Sequence, residues 1–210
     1  MPVTIITGAS TGIGEALALE LARRGHAVGL VARRAELLAE VVAKIEAAGG
    51  KAAYATADVT HRDEVTAALA ELESKLGPCD LVVANAGSGT PTNARKNPVA
   101  EIEWMIDINI RGVLYALGAV LPGMVERKRG HLAVVSSVAG FRGLPGHAGY
   151  SASKSYVTTL LESFRVDLRG VGVACTAIHP GYIDTPLTRK NKFKMPWLMP
   201  AERAARIIAD

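Results

Sequence analysis

Strand-like and helix-like segments alternate along the chain, and this alternation constrains the fold more than any other feature of the sequence. The strand-like segments are short apolar runs, typical of strands buried on both faces: Val3–Thr7, Ala27–Ala32, Ala52–Ala55, Asp80–Ala84, His131–Ser136 and Gly172–Ile178. The segments between them have apolar residues at helical spacing: Gly14–Arg24, Ala35–Ala48, His61–Leu76, Val99–Val125 and Gly149–Leu168. Buried strands that are each followed by a helix predict a three-layer α/β/α fold, with a mostly parallel sheet between two layers of helices.

The length and the even pattern predict one domain over residues 1–210. A chain of 210 residues can bury one good core, and no linker, repeat or low-complexity tract divides it. After Pro180 a loop rich in Pro, Lys and bulky apolar residues runs to Met199, and a last helix is expected over Pro200–Ile208.

Composition argues against several other classes of protein. The two cysteines, Cys79 and Cys175, lie in or beside apolar runs and predict neither a disulfide framework nor a metal site. The net charge of +4 is modest, and the only basic cluster favours a solvated loop over a nucleic-acid surface; it consists of Arg189, Lys190, Lys192 and Lys194. The N-terminus resembles a strand rather than a signal peptide, and no uninterrupted apolar run reaches the ~20 residues of a membrane span. We expect a cytoplasmic protein without nucleic-acid or membrane partners.

A tyrosine and a lysine stand four residues apart in the segment Tyr150-Ser151-Ala152-Ser153-Lys154. That spacing puts both side chains on one helix face. An ammonium near a phenol favours the phenolate, so the lysine is expected to lower the tyrosine pKa from about 10 toward neutral pH. The pair alone is weak support for catalysis, because the same spacing occurs on many solvated helices.

A glycine-rich turn follows the first strand, with the sequence Thr7-Gly8-Ala9-Ser10-Thr11-Gly12-Ile13-Gly14. Glycines let the backbone turn tightly and approach a pyrophosphate, which binds the free N–H groups at the start of the next helix. In parallel sheets, ligands bind beyond the carboxyl ends of the strands. The turn therefore predicts a nucleotide-binding, doubly wound Rossmann-like sheet, although a tight strand-to-helix connection would use the same glycines.

The order and spacing of these motifs resemble the short-chain dehydrogenase/reductase family over roughly residues 3 to 186. Tyr150 and Lys154 follow Ser137 by 13 and 17 residues, as in that family. The resemblance implies a set of cofactor-binding residues that includes the tyrosine and the lysine: Gly8, Ser10, Thr11, Gly12, Ile13, Gly14, Asp58, Val59, Asn85, Ala86, Gly87, Tyr150, Lys154, Pro180, Gly181, Ile183 and Thr185.

The resemblance also implies catalytic roles. Tyr150 would exchange a proton with the substrate oxygen, Lys154 would lower its pKa and bind the nicotinamide ribose, and Ser137 would polarise the carbonyl. Ser136 is the competing serine, but the spacing and the strand alternation favour Ser137. Asn109, a poor helix former, would hold a water in a proton relay, or else mark a kink or a surface position. The implied reaction is reversible hydride transfer between a nicotinamide cofactor and a ketone, aldehyde or alcohol.

NADP is the expected cofactor, with NAD as the other option. At the end of the second strand, where NAD users place an acidic residue, this chain has Ala32, followed by Arg33 and Arg34. A guanidinium there can bind a 2′-phosphate in a bidentate manner, unless Arg33 merely begins a solvated helix. Thr11 replaces the second basic residue of many NADP-using members, which predicts moderate selectivity.

The substrate is expected to be a small carbonyl compound or alcohol. The loop 187–199 has several apolar side chains, namely Phe193, Met195, Trp197 and Leu198. With the turn after Gly87 and the segment Gly140–His147, they suggest a pocket for a hydrophobic or aromatic substrate. Packing of this loop onto the body of the protein is an equal alternative.

The chain departs from the family pattern at several points. Ala84 replaces a first Asn, and His147 and His179 match no family role, so they predict pocket lining or structural contacts. The family's last helix and seventh strand are not found before Asp210. Family members are often homodimers or homotetramers built through the two long helices, and the same is expected here.

Two other functions compete with catalysis by this family. A catalytically silent NADP-binding sensor or scaffold protein would be expected to lack Tyr150, Lys154 or Ser137, and all of them are present. A sugar epimerase on a related fold would be longer, with another glycine spacing.

Overall fold

The computed structural model describes residues 1–191 and 193–210 and contains the predicted alternation of strands and helices. The main sheet consists of β1 Val3–Thr7, β2 Ala27–Ala32, β3 Lys51–Thr56, β4 Leu81–Ala84, β5 Gly130–Val135 and β6 Val173–Ile178. The helices are α1 Gly12–Arg23, α2 Ala35–Ala47, α3 Arg62–Leu76, α4 Val99–Ile106, α5 Gly112–Glu126, α6 Ala148–Asp167 and α7 Ala201–Ala209. A short parallel pair, β7 Ile183–Asp184 and β8 Met199–Pro200, lies outside the main sheet.

The main sheet is fully parallel, with the strand order β3-β2-β1-β4-β5-β6. Strands β2 and β3 lie on one side of β1. The chain then crosses to the other side of β1, where β4, β5 and β6 follow in order. The predicted α/β fold, a Rossmann-like doubly wound sheet, is therefore confirmed. Its strand order reverses between β1 and β4, which is where such folds bind dinucleotides.

The core lies in two layers, one on each face of the sheet. Ile5 and Ile6 are neighbours in β1, and both are fully buried because they point to opposite faces. Ile5 packs into the layer formed with α3, α5 and α6, and Ile6 into the layer formed with α1, α2 and α7. Each such buried side chain contributes about 1.5–3 kcal/mol of hydrophobic free energy, which explains why the strands are continuous apolar runs.

The predicted long helix over Val99–Val125 is interrupted by a π-helical turn over Asp107–Arg111. By length and composition alone, the stretch Val99–Glu126 is apolar enough to cross a membrane. In this fold, its side chains Val113 and Leu117 pack into the hydrophobic core.

Candidate functional site

A cleft of about 340 Å³ opens at the carboxyl edge of the sheet, where the strand order reverses. Most of the residues expected at a cofactor and catalytic site line it: Gly8, Ser10, Thr11, Gly12, Ile13, Arg33, Arg34, Asp58, Val59, Asn85, Ala86, Gly87, Ser137, Tyr150, Lys154, Pro180, Gly181, Ile183 and Thr185. Gly14 and Asn109 are not among the lining residues. Both are buried behind it.

The glycine turn gives the cleft an edge that suits a phosphate. Gly8 and Gly12 have φ angles of 67° and 64°, which other residues rarely adopt. A Cβ on Gly14 would collide with the carbonyl oxygen of Gly8, so the turn and α1 approach closely. Thr11, at the N-cap, makes no side-chain cap hydrogen bond. The first N–H groups of α1 are therefore available to an anion, and this donor set fits the pyrophosphate of a dinucleotide.

The loop after β4 is tied to this turn by hydrogen bonds. The Asn85 side-chain Nδ2 donates to the carbonyl oxygens of Thr7 and Gly8, at 3.0 and 3.2 Å. The Thr7 hydroxyl accepts from the backbone N–H groups of Asn85 and Ala86, at 3.2 and 3.1 Å. These bonds fix the floor of the cleft at the strand-order reversal.

One end of the cleft holds two guanidinium groups. Arg34 Nη2 donates to the Ser10 hydroxyl at 3.1 Å, and Arg33 Nη1 lies 3.5 Å from a carboxylate oxygen of Asp58. Burial raises the pKa of Asp58, but hydrogen bonds from Thr60 and the charge of Arg33 outweigh it, so that pKa is lowered. Ala32 lines the cleft beside them and places no carboxylate there. With two guanidinium groups and the one carboxylate of Asp58, this end keeps a net positive charge and suits an anionic group.

Tyr150, Ser137 and Lys154 come together on the wall of the same cleft. Ser137 lies close enough to Tyr150 for its hydroxyl to favour the ionised form of the phenol. Lys154 Nζ lies 5.8 Å from the centre of the Tyr150 ring and donates to the carbonyl oxygen of Val135 at 2.8 Å. Lys154 is only 4% exposed and Tyr150 is half-buried, so the pair does not lie on a fully solvated helix face.

The electrostatics of the pair differ from the sequence-based expectation. Burial raises the pKa of Tyr150, and the Ser137 hydroxyl opposes the rise without cancelling it. Burial also lowers the pKa of Lys154 to about 8. The expected lowering of the tyrosine pKa is therefore absent in the protein alone, because desolvation of the phenol is the larger effect.

Ser136 and Ser137 have separate environments. The Ser136 hydroxyl donates to the carbonyl oxygen of Lys154 at 2.8 Å and lies 2.9 Å from the Thr158 hydroxyl. It therefore ties β5 to α6. Ser137 Oγ accepts from the backbone N–H of Ala139 and contacts Tyr150. This geometry is consistent with the preference for Ser137 as the substrate-facing serine.

Asn109 lies within the π-helical turn and is 0% exposed, which excludes the surface alternative. Its Oδ1 accepts from the Ser88 N–H at 2.8 Å, and its Nδ2 donates to the Ser88 carbonyl at 2.9 Å. Nδ2 also lies 3.0 Å from the Ser153 hydroxyl on α6. Asn109 thus lies both at an interruption of the helix and next to the cleft, and π-helical turns are often found at functional sites. The water relay itself stays a prediction.

Sequence reasoning missed part of the cleft wall. Trp104 in α4 and Ile108 in the π-helical turn that follows line the cleft. Leu187, which also lines it, is the first residue of the predicted substrate loop 187–199. The helical spacing of Trp104 and Ile108, just before Asn109, was the signal that could have identified them.

The aromatic residues of the loop 187–199 lie elsewhere. Phe193 packs edge-on against His147 and Tyr182, with ring centres 6.4 and 6.0 Å apart. Trp197 is 92% exposed. The contacts of Phe193 favour loop packing over the predicted pocket wall, whereas Trp197 takes part in neither. His179 stacks on Phe141, as expected of a structural histidine. Lys192, part of the predicted basic loop, lies outside the described residues.

The stability of the protein should depend on pH through Lys154. Its pKa falls from 10.5 to about 8 in the fold, so between these values the unfolded chain binds a proton that the folded protein has released. The free energy of unfolding should therefore rise with pH across this window, by about 3 kcal/mol from this group.

Urea unfolding of the wild type and of Lys154→Met would measure this effect. The wild type should gain stability relative to the variant as the pH rises from 8 to 10.5. A constant difference between the two proteins would show that Lys154 does not carry a shifted pKa.

Comparison with known proteins supports the same kind of site. The family profile described as short chain dehydrogenase matches residues 2–195. An uncharacterized oxidoreductase of Myxococcus xanthus is 48% identical over 204 residues, covering 97% of this chain and 81% of that protein. A 3beta-hydroxysteroid dehydrogenase of Mediterraneibacter gnavus is 38% identical over 209 residues, covering 97% and 74%. The solved alcohol dehydrogenase of Thermococcus sibiricus, complexed with 5-hydroxy-NADP, has a TM-score of 0.90 at 30% identity, covering 99% of this chain and 88% of that one.

Proposed function

Because the chain belongs to the short-chain dehydrogenase family, we propose that it interconverts a ketone or aldehyde and an alcohol with NADP(H), using Tyr150 as the general acid and base. Members of this family are oxidoreductases that act on CH–OH and C=O groups with NAD or NADP. One observation carries the finer proposal. Tyr150, Ser137 and Lys154 share one cleft with the glycine turn and the paired arginines.

The cofactor would lie along the cleft. The open N–H groups at the start of α1 would hold its pyrophosphate, and Lys154 would bind the nicotinamide ribose. When bound, the nicotinamide supplies or accepts the hydride. Arg33 and Arg34 would bind the 2′-phosphate that distinguishes NADP from NAD, since Ala32 offers no carboxylate to repel it.

The side chains of the site would transfer the proton to and from the substrate oxygen and stabilise the charges that result. Burial keeps Tyr150 protonated at neutral pH, so its hydroxyl can donate to the oxygen of a carbonyl that is being reduced. Ser137 would hold the same oxygen by a hydrogen bond. Lys154, largely protonated below its pKa of about 8, would stabilise the phenolate that remains.

The substrate is proposed to be an apolar ketone or secondary alcohol. Trp104, Ile108 and Leu187 give apolar surface to the cleft that Ser137 and Tyr150 also line. The relative from Mediterraneibacter gnavus, a 3beta-hydroxysteroid dehydrogenase, is named for an apolar substrate of this kind. A panel of small, aromatic and steroid carbonyl compounds, followed by NADPH and NADH absorbance, would test the proposal. NADPH-dependent reduction of the apolar members is expected, and no reduction of any member would contradict it.

Truncating the apolar wall should weaken substrate binding. Trp104→Ala should raise KM for a bulky apolar ketone by about 10-fold, because an apolar contact is lost, while KM for NADPH stays unchanged. Trp197→Ala is the matched control and should leave both constants unchanged, since that side chain is 92% exposed. A rise in KM for NADPH alone, or an effect of Trp197→Ala equal to that of Trp104→Ala, would contradict this assignment of the wall.

A further inference from the structure

The helix that bears Tyr150 is capped by a residue from a distant part of the chain. His147 stands at the N-cap of α6, but its side chain makes no capping hydrogen bond. Thr92, 57 residues before Gly149, accepts a hydrogen bond from the Gly149 N–H through its hydroxyl oxygen at 3.1 Å. Thr92 is 1% exposed, so water does not compete for this contact. One of the free N–H groups of the first turn is thereby satisfied.

The backbone of Thr92 also contacts the residues just before α6. Its N–H donates to the carbonyl oxygen of Gly146 at 2.7 Å, and Thr92 and His147 form an isolated parallel β-bridge. Thr92 therefore contacts the chain on both sides of the start of α6. Tyr150 is the residue directly after Gly149, so these contacts lie beside its own backbone.

The segment that leads to Thr92 is also held at its other end. Asn109 bonds both the N–H and the carbonyl of Ser88, at 2.8 and 2.9 Å. Residues 88–92 thus run between two fixed points, the π-helical turn and the start of α6. A segment held at both ends can keep a side chain that packs against it in a fixed position.

The Tyr150 ring packs against Gly89 in this segment. A Cβ placed on Gly89 would lie 3.1 Å from Cδ2 of the ring. Gly89 is not among the glycines with a positive φ angle, so its backbone does not require glycine. A larger residue at this position would therefore press on the ring and displace it by a few tenths of an ångström.

We propose that Thr92 is a positioning residue for the reaction: by capping α6 and anchoring the segment 88–92, it sets the place of the Tyr150 hydroxyl in the cleft. This inference rests on the proposed role of Tyr150. Thr92 itself does not line the cleft in the described part of the chain. Its effect is transmitted through the helix N-terminus and through Gly89.

The first test compares Thr92→Val, which keeps the shape but removes the hydroxyl, with Thr92→Ser, which retains it. Thr92→Val should lower kcat by about 10- to 100-fold, because small misplacements of a reacting group have effects of this size. KM for NADPH should stay unchanged, and Thr92→Ser should restore kcat. Unchanged kcat in a folded Thr92→Val protein that has only a lower melting temperature would overturn the proposal.

A second pair of variants keeps the proposal testable if Thr92→Val does not fold. Gly89→Ala presses on the Tyr150 ring and should lower kcat, with unchanged KM for NADPH. Gly118→Ala is the control, because Gly118 is exposed on α5, away from the cleft, and a Cβ there meets nothing within 4 Å among the described residues. Equal kcat values for the two variants would overturn the proposal.

A measurement without cofactor separates this inference from the proposed function. The ionisation of Tyr150 can be isolated as the difference between ultraviolet pH titrations of each protein with and without Tyr150→Phe. In Thr92→Val the pKa of Tyr150 should fall toward its ordinary value, because a displaced ring is more hydrated, and Thr92→Ser should reverse the fall. If neither the wild type nor any variant turns over a substrate, the proposed function fails. The titration then decides the positioning role by itself, and an unchanged pKa of Tyr150 in Thr92→Val would overturn that role.

Discussion

Replacing Tyr150 by phenylalanine is expected to lower kcat by about 10²- to 10⁴-fold, the usual contribution of general acid–base catalysis. The variant lacks only the hydroxyl of a residue that lines the same cleft as Ser137 and Lys154. The ring and its packing against Gly89 are retained. The affinity for NADPH should therefore stay within a few-fold of the wild type.

Tyr156→Phe provides the control for this substitution. Tyr156 lies on the same helix, α6, but is exposed and does not line the cleft in the described residues. Its loss of a hydroxyl should leave kcat unchanged. Reductase activity in Tyr150→Phe equal to that in Tyr156→Phe would refute Tyr150 as the general acid and base.

Replacing Ala32 by aspartate is expected to shift the preference from NADPH to NADH by about 100-fold in the ratio of kcat/KM values. The new carboxylate would stand beside Arg33 and Arg34 at the end of the cleft that suits an anion. It would repel a 2′-phosphate and accept hydrogen bonds from ribose hydroxyls. Like charges brought together at a binding site cost several kcal/mol, and each 1.4 kcal/mol corresponds to about tenfold.

Ala32→Asn separates charge from size in this experiment. Asparagine has nearly the shape of aspartate but no charge, so it should shift the preference much less. Steady-state kinetics with both cofactors would measure the two ratios. Equal shifts in Ala32→Asp and Ala32→Asn would mean that electrostatic repulsion at this position does not set the preference.

The fold and most of the cleft were predictable from the sequence, because both depend on local patterns. Apolar runs such as Val3–Thr7 identify strands that are buried on both faces. Parallel strands bring their carboxyl ends to one edge, so residues that follow different strands, such as Gly8, Asn85 and Ser137, meet there. The pattern gives these positions without any knowledge of side-chain packing.

The remaining features depend on packing between distant segments. No local signal pairs Thr92 with the start of α6, since 57 residues separate Thr92 from Gly149. The direction of the pKa shift of Tyr150 depends on how deeply the ring is buried. The four-residue spacing of Tyr150 and Lys154 shows only that the two side chains are near each other. Helical spacing also could not show that Asn109 lies in a π-helical turn, with its side chain bonded to Ser88.

Transfer of deuterium from labelled NADPH tests the central proposal most directly. The protein would be mixed with an active ketone from the panel and with NADPH that carries deuterium at C4 of the nicotinamide, on one face or on the other in separate reactions. The mass of the alcohol formed would be measured by mass spectrometry. We predict that label from one face appears on the carbinol carbon, and that Tyr150→Phe forms little labelled alcohol although it binds NADPH. Binding of NADPH without label in any product from the wild-type protein would contradict the proposal and indicate a protein that binds the cofactor without turnover.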